Sequence, residues 1–135
     1  MKKPKLAIVS THPIQYYAPV FRKLTQNGRI TPRVFYTWSQ AEGGQYFDRE
    51  FGINVQWDIP LLTGYEYQFV QNTSKKPSSK NFFGIQNSTL NTEIESWGAD
   101  AILVYGWNKH SHFNALRYFK GKIPVFFRGD SNLLD

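Results

Sequence analysis

The chain contains no cysteine, which excludes a disulfide framework, a thiolate metal site and a cysteine nucleophile, and is in keeping with a reducing compartment. It also has no apolar run near the roughly 20 residues a membrane-spanning helix needs. Lys2, Lys3 and Lys5 precede an apolar stretch too short for a signal-peptide core, and His12 and Pro13 close it, so no secretion signal is expected. A glycine-rich phosphate fingerprint is missing as well: the first strand is followed by THPIQY, where close approach to a pyrophosphate requires glycines. That argues against a dinucleotide dehydrogenase reading. Acidic residues are few, 10 against 16 lysines and arginines, giving a net charge of +6. The basic residues are scattered in small clusters at Lys2, Lys3 and Lys5, at Lys75, Lys76 and Lys80, and at Lys120 and Lys122. No basic helix or aromatic-plus-basic RNA motif appears, so the excess reads as a solvated surface rather than a nucleic-acid interface. Attraction to an anionic membrane face or a phosphorylated substrate stays open.

What is present is a chain of 135 residues with an aromatic fraction of 17%, enough for one folded domain with a real core. Residues 6–9, LAIV, run without alternation, as in a strand covered on both faces. Ser10, Thr11 and His12 leave that strand, and Pro13 disfavours helix at His12. A helix then begins with Pro19 in its first turn, with Tyr17, Val20, Phe21 and Leu24 expected inward and Asn27-Gly28 as its stop. A second strand is predicted over 33–38, and an edge-like third over 65–70. The connection between them, 39–64, is long enough to be functional. Residues 71–81 read as an exposed, flexible loop. A helix follows, with Asn87 or Ser88 as N-cap, Leu90, Ile94 and Trp97 inward and Gly98 as its stop. Then come a strand over 100–105, a helix from about Ser111 with Phe113, Leu116 and Phe119 inward and Gly121 at its end, and a fifth strand over 123–127. The pattern predicts an α/β, Rossmann-like, doubly wound parallel sheet of order 3-2-1-4-5 with right-handed crossovers.

In that order strands 1 and 4 are neighbours, and a crevice opens at their carboxyl ends. It would gather Thr11, His12, Gln15 and Tyr16 with Trp107, Asn108, His110 and His112, beside Arg128 and Asp130. All three histidines fall in these two turns, which raises zinc. No i, i+4 ligand pair exists, and hydrogen-bonding or general acid/base roles suit the imidazoles better, so no metal is assigned. Tyr16, Trp107, Tyr46 and Trp57 can stack on sugar rings, with ordinary packing the alternative for Tyr46 and Trp57. Arg128 can clamp a phosphate or carboxylate and Asp130 can accept a hydroxyl proton; their alternative is a mutual ion pair.

The segments HPIQYYAPVFRKL (12–24), FG and VQWDIPLLTGYEY (within 51–67), FFGIQN (82–87), VYGWNKHSHFNALR (104–117) and IPVFFRGDSNLL (123–134) resemble the amino-terminal half of GT-B glycosyltransferases related to family 4, the type of bacterial surface-polysaccharide clusters. The resemblance spans nearly all of 1–135 and implies a single Rossmann-like acceptor-side domain. It further implies a carbohydrate or lipid-linked acceptor and a C-terminal partner domain, absent from this chain, that binds most of a nucleotide diphosphate sugar. No other cofactor is implied, and the piece alone is expected to be inactive. Where many relatives have a histidine six residues past the Ile-Pro proline, this chain has Asp130, and the glycine pair of their first turn is replaced around Ile14 and Gln15. Asp130 and His12 are the candidate catalytic groups on this reading; the other residues named would bind substrate. The expected location is cytoplasmic, at most peripheral at the inner face of the membrane. A free-standing Rossmann-like module for a small polar or phosphorylated ligand is the competing expectation.

Overall fold

The uninterrupted apolar run of the first strand is buried as its composition requires: Ala7, Ile8 and Val9 have no exposed surface. In the computed structural model, which describes residues 3–13, 17–38, 62–78, 80–106 and 108–128, this strand is β1 (Lys5–Ser10), the middle of a five-stranded sheet. The others are β2 (Thr31–Tyr36), β3 (Glu66–Phe69), β4 (Ala101–Tyr105) and β5 (Val125–Arg128). All neighbours pair in parallel, in the order β3-β2-β1-β4-β5. The chain therefore steps outward from β1 to β3 and then crosses back to β4, which puts the topological switch point between β1 and β4.

Among the described residues, three helices flank the sheet: α1 (Ala18–Asn27), α2 (Leu90–Trp97) and α3 (His110–Phe119). Two of the expected helix stops hold, Gly28 and Gly98 both taking the left-handed conformation at the C-cap, whereas α3 stops one residue earlier than expected, with Lys120 rather than Gly121 at its C-cap. On one face of the sheet Ala18 and Phe21 of α1 pack on Ile8, Val34, Tyr36 and Tyr105. On the other, Leu90, Ile94, Ala115 and Phe119 of α2 and α3 pack on Ala7, Val9, Phe35, Ile102 and Val104. Burial of each large side chain contributes roughly 1.5–3 kcal/mol.

Several expected details are corrected. The second strand begins two residues early, at Thr31, and contains Pro32. Bonds from Thr31 and Thr37 N–H run to β1, to the carbonyls of Pro4 and Ser10, so the alternating even positions face β3. Since β3 starts opposite Arg33, the missing N–H of Pro32 leaves no ladder bond unmade. In α1, Ala18 replaces Val20 on the inner face, and Val20 is exposed. In α3, Ser111, His112 and Ala115 precede Phe119 on the buried face, while Phe113 points out to an aromatic group with Phe82, and Leu116 packs at the core's margin. The polar residues that displace Phe113 inside are tolerated because their hydrogen bonds are made. The fifth strand starts at Val125, later than expected, and Ile123 packs on the core just before it.

The N-cap of α2 is Thr89, whose hydroxyl bonds the Glu93 carboxylate at 2.6 Å, and neither Asn87 nor Ser88 occupies that position. Asn87 is instead buried beneath the sheet ends. The segment read as a flexible loop is tied down: Asn72 Nδ2 donates to the Gly84 carbonyl, and its Oδ1 accepts from the N–H groups of Ser74 and Gln86. Those bonds hold it against a single 3-10 turn, Phe82–Gly84. Most of the long connection (39–61) lies outside the described residues.

Candidate functional site

Hydrogen bonding continues past the strand ends and fixes the turns that line the switch point. Trp38 N–H donates to the Thr11 carbonyl at 2.7 Å, and Gly106 N–H to that of Arg128 at 2.8 Å. Thr11, His12, Asn108 and Arg128 thus lie in turns or at strand ends along the carboxyl edge of β1, β4 and β5. Gln15, Tyr16, Trp107 and Asp130 lie outside the described residues, as do Tyr46 and Trp57.

Arg128 has the most specific setting of these. Its register partner is Tyr105, and its guanidinium lies 5.7 Å from the ring centres of both Tyr105 and Tyr17. The two rings meet edge to face at 4.8 Å. An aromatic floor holds a guanidinium by cation–π attraction while leaving its N–H fork available for an oxyanion. Among the described residues the one ion pair is Arg33 with Glu66, far along the sheet from Arg128. At the end of β1, the Thr11 hydroxyl sits 3.2 Å from Nδ1 of His12. Surrounding protein lowers the His12 pKa by desolvation, but the ring remains exposed, so it can exchange protons with a ligand. Asn108 is exposed in the turn after β4. Lys109, next to it, is buried, and burial lowers its pKa.

His112, expected among the substrate-binding residues, is instead packed inside the protein with both ring nitrogens held by protein partners. It has no exposed surface. Nδ1 lies 2.9 Å from the Tyr105 carbonyl, which can only accept, so Nδ1 carries the proton. Nε2 then accepts from the Thr37 hydroxyl at 2.8 Å. Burial pushes its pKa down to about 4, and the ring is neutral at pH 7. It is a rivet joining α3 to the ends of β2 and β4. His110 stands apart, half-buried, its ring 5.5 Å from that of Phe83. Among the described residues, which include all three histidines, no three His, Asp or Glu groups converge as a metal set.

The sequence reading missed the buried polar layer under the site. Asn87 Nδ2 donates to the carbonyls of Thr37, Val70 and Gln71 at 2.9–3.1 Å, and Asn87 N–H donates to Ser111 Oγ at 2.6 Å. Ser111 Oγ donates in turn to the Ile85 carbonyl. Polar residues just beyond apolar strands, such as Thr37, were the available signal. Tyr17 and Tyr105, the floor under Arg128, fall by their sequence pattern on a helix face and in a strand, with nothing in that pattern to point to a guanidinium.

The fold is that of a Rossmann-like α/β protein, with Thr11, His12, Asn108 and Arg128 along the carboxyl edge of its sheet. Set against known protein families, curated proteins and solved structures, the chain matches none, and among the described residues no helix is long and apolar enough to cross a membrane.

Proposed function

We propose that this chain is the acceptor-binding N-terminal domain of a glycosyltransferase that moves a sugar from a nucleotide diphosphate donor to a glycan or lipid-linked acceptor. One observation carries the reading: an aromatic-seated Arg128 and an exposed, titratable His12 border the β1–β4 switch point, where open α/β sheets take their ligands. The sequence resemblance supports it. In this reading Arg128 grips an oxyanion of the substrate, Thr11 and Asn108 hydrogen-bond hydroxyls, and His12 orients the acceptor. Proton removal from the attacking hydroxyl falls to His12 or Asp130, and such a base supplies about 10²–10⁴-fold in rate. The nucleotide diphosphate sugar is bound mainly by a second domain that closes over this edge and excludes water.

The reading frame beyond Asp135 tests the proposal. A second βα domain with an acidic pair supports it, and a stop codon there would favour the binding-module alternative. With the full-length enzyme, Asp130→Asn is expected to lower kcat by about 10²–10⁴-fold, and His12→Ala to raise KM for acceptor more than for donor. Wild-type kinetics in both folded variants would remove these two residues from the chemistry.

A further inference from the structure

We infer that the hollow between loop 71–78 and the Phe82–Gly84 turn binds a saccharide carrying an anionic group, a carboxylate or a phosphate ester. The inference rests on the glycosyltransferase reading and narrows its acceptor to a charged sugar. The hollow has a volume of about 360 Å³, at the lower end for small-ligand sites, and is lined by Thr73, Ser74, Lys75, Lys76, Phe83 and Gln86. Its walls are fixed in advance by main-chain and side-chain bonds. Thr73 donates to the Gln86 carbonyl through both N–H (2.6 Å) and Oγ1 (2.9 Å), Ser74 Oγ donates to the Phe83 carbonyl at 2.7 Å, and Asn72 bridges both segments. A ligand entering it orders little new backbone, which favours affinity.

The lining has three kinds of chemistry that suit a charged pyranose together. Phe83 is 60% exposed, and its flat ring can seat the C–H face of a sugar. The Thr73 and Ser74 oxygens, whose protons go to main-chain carbonyls, can still accept from ring hydroxyls, and the Gln86 amide keeps an N–H and its carbonyl oxygen for them. Lys75 and Lys76 supply ammonium groups, and neither forms an ion pair with a carboxylate among the described residues. A smaller hollow of about 130 Å³ shares Thr73 and Gln86 with the first and leads to Ser88, His110 and Asn114. The cleft therefore runs toward the start of α3, next to the turn that carries Asn108. A membrane surface fits less well, because the hydroxyl and amide groups lining the hollow would lose water without gaining partners in lipid. The lysines form a local pair rather than the track a nucleic-acid backbone requires.

Amide chemical shifts of the labelled 135-residue chain test this, with glucuronic acid, glucose 6-phosphate, glucose and vesicles of anionic phospholipid as probes. Glucuronic acid or glucose 6-phosphate, whichever anion the site takes, should shift residues 73–76, 83 and 86. Glucose should bind there roughly tenfold more weakly, the loss of one charge-assisted hydrogen bond. The double change Lys75→Ala, Lys76→Ala should erase that preference, and Phe83→Ala should weaken all three sugars, with amides elsewhere unmoved because these side chains are exposed. Equal binding of glucose and the charged sugars, or vesicle binding without sugar binding, would overturn the inference. Neutral glucose shifting only the residues around Thr11 and Asn108 would also overturn it while leaving the glycosyltransferase reading intact. No sugar binding anywhere would overturn both.

Discussion

His112 shows how a residue chosen for chemistry can be structural, and its burial makes a pH-dependent stability unavoidable. Its folded pKa of about 4 lies below the unfolded value of 6.5, so between those limits the unfolded chain binds more protons than the folded one. The stabilising contribution is complete above pH 6.5 and is lost as pH falls toward 4. It amounts to about 2 kcal/mol between pH 6.5 and 5, from 1.36 kcal/mol per pH unit. Urea unfolding at pH 7 and pH 5 should show that fall, and His112→Asn should flatten the dependence even though it lowers stability at pH 7. An unchanged slope in the variant would place the titration elsewhere. Arg128 is the opposite case, exposed and held by two rings. Arg128→Ala should cost about 1 kcal/mol or less in unfolding free energy, because exposed cation–π contacts are weak. On the glycosyltransferase proposal, the same change in the full-length protein should lower kcat/KM for acceptor by tenfold or more, the cost of one charge-assisted hydrogen bond.

At the scale of elements, the polar layer beneath the crevice decides how the carboxyl ends of the strands are held. Asn87 ties the chain leaving β2, the chain leaving β3 and the start of α3 through one side chain and its own N–H. Asn87→Ala leaves three carbonyls without that donor and should cost about 3 kcal/mol, whereas Ser88→Ala, at an exposed position, should stay within about 0.5 kcal/mol. Thermal unfolding of the two variants separates these roles, and equal losses would mean Asn87 does not clamp the strands. The sequence made Asn87 look like a helix cap because a polar residue before an apolar period is what a cap looks like. Tertiary demand for a buried amide outweighed that local preference. The same contest explains α3, where periodicity favoured Phe113 and the structure buried Ser111 and His112 instead. Strand existence was legible because β1 and β4 are continuous apolar runs; strand ends were less so, since β2 extends through Pro32 at a position where sheet geometry forgives it.

For the whole molecule, strand order was the most informative expectation, because 3-2-1-4-5 fixes where the switch point falls and hence which turns can share a ligand. That reasoning correctly selected Thr11, His12, Asn108 and Arg128 as residues of the carboxyl edge, but it could not separate a buried His112 from an exposed His12, since both follow apolar strands. On the proposed function this domain holds the acceptor and not the nucleotide donor. Isothermal titration of the 135-residue chain with nucleotide diphosphate sugars tests it most directly. No binding tighter than millimolar is expected, because the first turn has no glycine cradle for a pyrophosphate. Micromolar binding, abolished by Arg128→Ala, would contradict it and make the β1–β4 crevice the donor site.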